Sequence, residues 1–146
     1  MSESKVSVRG ARPEDAEALA RLSAQLGYPS APEDMPARLE RVERDGTARV
    51  FVADSDGETV GLATGHIRRM INHAAPIGQL SLLVVDETWR SRGVGRSLVE
   101  AVEHWARERG CHRIVVTTAL RRTDAHAFYE RIGYQHTGRR YAKDFD

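Results

Sequence analysis

Apolar residues recur at intervals of three and four residues along four stretches of the chain, which is the spacing of one helix face. Polar and charged residues fill the positions between them, so each stretch predicts an amphipathic helix packed on a core. The first begins at Pro13, followed by two acidic residues, as the first turn of a helix favours. The four apolar stripes are Ala16, Leu19, Leu22 and Leu26; Met35, Leu39 and Val42; Val94, Leu98, Val102 and Trp105; and Ala125, Phe128, Tyr129 and Ile132.

Short runs rich in apolar and β-branched residues separate these helices and predict six strands, at residues 6–8, 49–54, 59–69, 80–85, 114–118 and 134–145, the last as a strand or hairpin. The nearly continuous apolar run at 80–85 suits a central strand that is buried on both faces. The resulting order is β-α-α-β-β-β-α-β-α-β, with hairpins first and strand–helix units later. We therefore expect an α/β fold with a mixed, mostly antiparallel central sheet flanked by helices.

Length, charge and cysteine content narrow the classes of protein. The 146 residues fit one compact domain, and the net charge of +1 comes from basic and acidic residues that are interleaved. This distribution argues against a nucleic-acid-binding or membrane-surface protein, which shows a one-sided basic stripe. Cys111 is the one cysteine, so no intrachain disulfide can form, and the histidines lack the spacing of a metal site. From the cysteine count and the histidine spacing, no bound metal is expected. No apolar segment is long enough for a signal peptide or a membrane span, so we expect a cytoplasmic location.

The strongest chemical signal lies between the strand at 80–85 and the third helix. This segment reads Arg90-Ser91-Arg92-Gly93-Val94-Gly95-Arg96-Ser97. Glycines leave the backbone open to close approach by a ligand, and the N–H groups of a helix start favour an anion. The arginines add fixed positive charge, so a pyrophosphate suits this loop. A P-loop would need Lys after its last glycine, and a dinucleotide fingerprint would need glycine at Leu98, so neither motif fits.

These residues resemble the phosphate loop of the GNAT superfamily of N-acetyltransferases, in which Arg or Gln is followed by two residues, Gly, one residue and then Gly or Ala. Arg90, Gly93 and Gly95 match that pattern. Residues 124–134 resemble the family helix that carries a tyrosine near the coenzyme sulfur and ends at a glycine followed by an aromatic residue. The element order fits as well, so the resemblance implies that residues 1–146 form a single N-acetyltransferase domain with the GNAT fold.

The resemblance implies acetyl-CoA as cosubstrate, an amine as acceptor, and roles for particular residues. Tyr129 would be the general acid that protonates the departing thiolate, although a tyrosine at helical spacing is also typical of a packed core. A backbone N–H near Val84 or Val85 would hold the oxyanion where the fourth and fifth strands splay apart, and Thr117 and Thr118 would line that split. The expected coenzyme-binding residues are Leu83, Val84, Val85, Arg90, Ser91, Arg92, Gly93, Val94, Gly95, Arg96 and Ser97.

The general base is where the sequence departs from the family pattern. Many relatives carry Glu on the fourth strand, whereas this chain has Ser81, whose hydroxyl cannot act as a base near neutral pH. His66 and His73 flank the acceptor side of the predicted sheet and are the remaining candidates, although each also fits an ordinary surface residue. Asp86 and Glu87 are expected to face solvent beyond the strand end. The acceptor amine is therefore expected to bind in its neutral form, or to lose its proton through ordered water to a distant group.

The nature of the acceptor stays open at the level of sequence. A small-molecule amine is preferred because nothing in the chain indicates an extra docking domain, and a protein N-terminus or lysine is the alternative within enzymes. Ser81 in place of an acid favours another alternative, a module that binds acetyl-CoA as a sensor without turnover. A homodimer is compatible with the resemblance, because many relatives dimerise, and no membrane partner is expected. A nucleic-acid-binding domain, disfavoured by the balanced charge, would use the arginines Arg90, Arg92, Arg121, Arg122, Arg139 and Arg140.

Overall fold

The computed structural model describes residues 5–117, 123–138 and 141–145. In those residues five strands form one sheet, and four α-helices pack beside it. The strands are β1 (Ser7–Gly10), β2 (Ala48–Ser55), β3 (Glu58–Arg68), β4 (Ile77–Val85) and β5 (Arg113–Val116), and the helices are α1 (Ala16–Gln25), α2 (Met35–Glu43), α3 (Val94–Glu108) and α4 (Thr123–Arg131). Short 3₁₀ turns precede α1, α2 and the glycine loop, at Pro13–Asp15, Pro32–Asp34 and Glu87–Trp89. Every helix in the described ranges is too short or too polar to cross a lipid bilayer.

The spatial order of the strands is the same as their order in the chain, β1-β2-β3-β4-β5. The first four strands pair antiparallel. Between β2 and β3 the chain reverses at Asp56 and Gly57, whose φ angles of +50° and +84° match a tight hairpin turn. β5 pairs parallel with β4, because the chain first crosses over through α3. The predicted mixed, mostly antiparallel sheet is therefore confirmed.

Each face of the sheet has its own apolar core, because side chains of a strand alternate between the two faces. On one face, Leu98 and Val102 of α3 pack against β2, β3 and β4. On the other face, Leu22 of α1 and Leu39 of α2 close the second core. Glycine in β3 lets α3 lie close to the sheet, since a Cβ at Gly61 would stand only 2.8 Å from Leu98 Cδ1. The apolar stripes predicted for these three helices face the sheet, except that Val42 at the end of the α2 stripe is exposed.

The structure differs from the prediction at the final strand. None of the described residues in 134–138 and 141–145 belongs to a strand. Tyr141 and Phe145, two aromatic residues of the predicted strand, are 87% and 90% exposed. Polar residues and glycine fill 135–138, so this segment has no alternating apolar face to bury against β5. Five residues to which the sequence assigns a possible role lie outside the described ranges: Thr118, Arg121, Arg122, Arg139 and Arg140.

Candidate active site

β4 and β5 separate halfway along β4. Their parallel pairing ends with Leu80 opposite Val116, followed by one long backbone hydrogen bond from Thr117 N to Leu80 O at 3.5 Å. Gln79 Nε2 donates to Thr117 Oγ1 at 3.0 Å and links the two strands at this point. Among the described residues, 81–85 of β4 have no strand on the β5 side. The predicted splay of these two strands is therefore present, with Thr117 at its apex.

The unpaired edge of β4 presents backbone N–H groups to the split. Successive residues of a strand direct their N–H and C=O groups to opposite neighbours. Asp86 N donates to Val60 O of β3 at 2.8 Å, so Val84, two residues earlier, also directs its N–H toward β3. Leu83 and Val85 consequently direct their N–H groups into the split. Of the two residues predicted to offer an oxyanion donor, only Val85 has an N–H that faces this way.

The glycine loop joins β4 to α3 through two left-handed residues. Ser91 has φ +66° and Gly93 has φ +83°, a region that glycine enters freely and other residues enter at a cost. Val94, the first residue of α3, is 1% exposed and anchors the helix start in the core. Ser97 donates from its N and its Oγ to Gly93 O, both at 3.1 Å. The N–H groups of the first α3 turn that precede Ser97 have no partner within the helix, and they lie next to an exposed loop, where they favour an anion.

The two loop glycines have different surroundings. A Cβ at Gly93 would have no atom within 4 Å, so the backbone there borders space that a ligand can fill. A Cβ at Gly95 would lie 3.3 Å from Phe128 Cζ on α4 and 3.6 Å from Val85 Cγ2 on β4. Gly95 therefore allows α4, β4 and the start of α3 to pack together, whereas Gly93 leaves room for a phosphate.

The loop arginines are exposed, and contacts orient two of them. The guanidinium of Arg92 lies 5.0 Å from the ring centroid of Trp89, which holds its charge beside the loop. Arg96 Nε pairs with Glu100 Oε1 at 3.1 Å, one turn further along α3. Such an exposed pair contributes little to stability, but it shares the charge of Arg96 with a carboxylate. Arg92 is therefore the better placed of these two cations for an anion at Gly93.

Tyr129 lies in an aromatic cluster where α4 meets the sheet. Its ring centroid is 5.2 Å from that of Phe128 and 5.7 Å from that of Tyr134, in edge-on arrangements. Tyr134 OH donates to Glu103 Oε2 at 2.6 Å, and burial together with this carboxylate raises the pKa of the Tyr134 phenol far above its ordinary value. A phenol held in this way is a poor proton donor to a thiolate, which leaves Tyr129 as the better candidate. The Tyr134–Glu103 contact was not predicted, and an aromatic residue after Gly133 was its only indication in the sequence.

His66 lies on the sheet face opposite α3, and Ser81 lies at an irregularity of β4. A Cβ at Gly65 would meet α3, so the next residue, His66, points to the other face. Ser81 lies at a β-bulge between Leu80 and Leu82, the β4 partners of Gly65 and Thr64. Ser81 is exposed, and its Oγ donates to Thr64 O at 3.4 Å. Burial and, to a lesser extent, Arg68 lower the pKa of His66, so its imidazole is neutral near pH 7. His73 lies in the β3–β4 connection, so His66 is the one of these two candidate histidines that lies in a strand of the sheet.

The prediction that Asp86 faces solvent is wrong. Its side chain is buried and forms an ion pair with Arg21 of α1, while Oδ1 accepts hydrogen bonds from Thr88 N at 3.0 Å and Thr88 Oγ1 at 2.8 Å. The hydrogen bonds from Thr88, with the charge of Arg21, hold the pKa of Asp86 below its ordinary value. Arg21 lies 65 residues earlier in the chain, so no local pattern could indicate this pair. Glu87 is exposed, as predicted.

A cavity of about 940 Å³ lies along the outer side of β5, beneath α4. Thr117 and Tyr129 contribute to its walls, whereas the loop residues 90–97 do not, so it is separate from the candidate phosphate site. In the part of the chain that the structure describes, no group of three or more His, Cys, Asp or Glu side chains is arranged to hold a metal ion.

A five-stranded sheet whose β4 edge opens beside a glycine loop is shared with a known class of enzymes. The model of the acetyltransferase (GNAT) family matches residues 16–134, which is most of the chain. The chain belongs to this family, and the resemblance noted in the sequence is confirmed.

Individual relatives agree with this assignment. An aminoglycoside N(6')-acetyltransferase type 1 from Stenotrophomonas maltophilia is 35% identical over 143 residues, which cover 95% of this chain and 92% of that enzyme. An aminoalkylphosphonate N-acetyltransferase from Salmonella typhimurium is 31% identical over 122 residues, 84% of this chain and 77% of that enzyme. The solved aminoglycoside N-acetyltransferase AAC(6')-Iy in complex with CoA has the same fold, with a TM-score of 0.86 at 24% identity over 99% of this chain and 97% of its own. The protein is thus an N-acetyltransferase with the GNAT fold.

Proposed function

We propose that the protein transfers the acetyl group of acetyl-CoA directly to the amine of a small molecule, within a ternary complex. The observation that carries this proposal is the split between β4 and β5, which opens beside the exposed loop at Gly93. Acetyl-CoA would supply an activated acetyl thioester and a thiolate leaving group. The relatives named for aminoglycosides and for aminoalkylphosphonates support a small amine as the acceptor.

The coenzyme would extend from the split to the loop. Leu83 and Val85 offer backbone N–H groups along the open edge of β4, and the buried side chain of Val84 holds this edge to the opposite core. The first turn of α3 and the oriented guanidinium of Arg92 supply positive charge around Gly93, where the surroundings leave space for a phosphate. The remaining loop residues shape and anchor the site: Arg90, Ser91, Val94, Gly95, Arg96 and Ser97.

Val85 and Tyr129 would act on the reacting atoms. Negative charge develops on the carbonyl oxygen as the amine attacks, and a fixed N–H donor at that point stabilises the transition state by a few kcal/mol. The N–H of Val85 is fixed because the next residue, Asp86, is tied to Val60. Tyr129 would donate a proton to the leaving thiolate. With ordinary pKa values of about 10 for a phenol and about 8.5 for a thiol, this transfer is only modestly uphill.

The acceptor amine would lose its proton without a carboxylate on β4. Ser81 occupies the position where many relatives have Glu, and its exposed hydroxyl can order a water but cannot take a proton near neutral pH. The amine would therefore bind in its neutral form or pass its proton through water to a distant group. His66, whose pKa is lowered by burial, is the alternative base, and the pH dependence of kcat/KM distinguishes it from an amine that binds already neutral.

The experiment measures thiol release from acetyl-CoA by the purified protein, first with a panel of small amines and then with peptides that carry a free N-terminus or lysine. Release that depends on a small amine, with intersecting lines in double-reciprocal plots, is the expected result. Parallel lines would indicate a covalent acetyl-enzyme and contradict direct transfer. Release with peptides alone would reassign the acceptor to protein. Binding of CoA without release for any acceptor would contradict catalysis and favour a sensor.

A further inference from the structure

Arg21 connects α1 to the beginning of the glycine loop. Its Nη1 pairs with Asp86 Oδ2, and its Nη2 donates to Thr59 O at 2.8 Å. One turn later on the same helix, Gln25 Oε1 accepts a hydrogen bond from Glu87 N at 3.1 Å. α1 therefore contacts two successive residues at the point where the chain leaves β4 for the loop.

Asp86 holds the 3₁₀ turn Glu87–Trp89 with its second carboxylate oxygen. Oδ1 accepts from both the N and the Oγ1 of Thr88, as an N-cap side chain does. The same turn carries Trp89, on which the guanidinium of Arg92 stacks. The position of Arg92 beside the loop thus depends on the turn that Asp86 holds.

The charge of Asp86 is unfavourable for an anion site unless it is neutralised. Its side chain is only 9% exposed, and it lies four residues before Arg90 in the loop. A buried carboxylate is screened by salt much less than an exposed one, so without a partner it would repel a pyrophosphate bound at the loop. Arg21 lies directly against it, and a close opposite charge cancels most of the field that the carboxylate exerts at a distance.

We propose that Arg21 is a positioning residue for the coenzyme. It acts through Asp86, because its charge removes the repulsion that the buried carboxylate would exert on the pyrophosphate. This inference rests on the proposed function, because it takes the loop to be the coenzyme site. It extends that site to α1, which packs on the face of the sheet opposite α3.

The test is a double-mutant cycle in which the affinity for CoA is measured by titration calorimetry. Arg21→Met leaves the carboxylate unpaired, so the Kd for CoA should rise at least tenfold, or about 1.4 kcal/mol. Asp86→Asn removes the negative charge and keeps an oxygen that can accept from Thr88, so the Kd should change by less than about threefold. The double variant lacks both charges, and its Kd should return to within about threefold of the unmodified protein. Loss of packing alone would not be repaired by a second substitution.

Arg9 provides a matched control for the removal of an arginine. Its guanidinium makes two hydrogen bonds of 2.9 Å to Asp15, a buried carboxylate, but β1 is separated from β4 by two strands. Arg9→Met should lower the free energy of unfolding as Arg21→Met does, and its Kd for CoA should stay within about twofold of the unmodified protein. If Arg21→Met does not fold, Arg21→Gln replaces it, because Gln keeps an amide donor for Thr59 O and also removes the charge. Its Kd for CoA is then compared with those of Arg9→Met and the unmodified protein.

Two results would overturn the inference: a folded Arg21 variant whose Kd for CoA is within about twofold of the unmodified protein, or a double variant that binds as weakly as Arg21→Met. Failure of the proposed function has a different outcome. In that case the unmodified protein would not bind CoA, or a negative charge introduced at Gly93 would leave binding unchanged.

Discussion

Gly93 allows the strain and the charge of a new side chain in the coenzyme loop to be measured separately. Its φ is +83°, and a Cβ at this position would meet no atom within 4 Å. Asn and Asp have nearly the same shape, and both enter the left-handed region more readily than other residues with a side chain. Gly93→Asn therefore introduces the backbone strain with a neutral amide, and Gly93→Asp introduces the same strain with a negative charge.

The expected magnitude follows from these two terms. Each substitution should lower the free energy of unfolding by about 1 kcal/mol, because the left-handed conformation costs a residue with a Cβ about that much. A carboxylate about 6 Å from a phosphate charge is repelled by roughly 3 kcal/mol at an effective dielectric constant of about 20. Even if solvent removes half of this repulsion, Gly93→Asp should bind CoA at least tenfold more weakly than Gly93→Asn, a difference of about 1.4 kcal/mol.

Gly57 is a closely matched control for this experiment. It lies in the β2–β3 turn with φ +84°, and a Cβ there would also have no atom within 4 Å. Gly57→Asn and Gly57→Asp should reproduce the loss of stability, measured by chemical denaturation, and leave the Kd for CoA unchanged in calorimetry. If folded Gly93→Asp and Gly93→Asn bind CoA equally well, no phosphate lies near Gly93 and the assignment of the loop is wrong.

Three further predictions concern the proton chemistry and the pH dependence of stability. Tyr129→Phe should keep the Kd for CoA and lower kcat by about 10²–10⁴-fold, the usual contribution of a general acid; an unchanged kcat would show that Tyr129 only packs. The acid limb of kcat/KM should follow the acceptor, so that two similar amines whose pKa values differ by about one unit give limbs displaced by about one unit, in the unmodified protein and in Ser81→Ala alike. A limb common to both amines, below the ordinary histidine pKa of about 6.5 and abolished by His66→Gln, would instead identify His66 as the base, because burial lowers the pKa of that imidazole. The hydrogen bonds from Arg9 lower the folded-state pKa of Asp15, so the stability that this carboxylate contributes is present above the unfolded pKa of about 3.9 and is lost as the pH falls through the lower folded pKa. The difference in unfolding free energy between the unmodified protein and Asp15→Asn should therefore be larger at about pH 6 than at about pH 3, and an equal difference at both pH values would contradict this account.

Much of the fold could be predicted from the sequence because it depends on residues that are close together in the chain. The apolar stripe of α3 at Val94, Leu98 and Val102 is a local pattern, and the structure buries all three. The hairpin of β2 and β3 is likewise determined by the residues of its own turn at Asp56 and Gly57. The anion-binding character of the loop follows from glycines and arginines that precede a helix start, so this part of the candidate site could also be identified before the fold was known.

The tertiary structure decided how these local pieces meet. Neither residue of the Arg21–Asp86 pair carries a local pattern that indicates the other, because the ion pair forms only when α1 packs across β4. The role of Val85 also depends on a distant element, because its N–H faces an open split only where β5 diverges from β4 after Leu80. The two loop glycines look equivalent in the sequence, yet packing of α4 distinguishes them. Such contacts join residues far apart in the chain, and local periodicity, which is set by neighbouring residues, carries no information about which distant surfaces pack together.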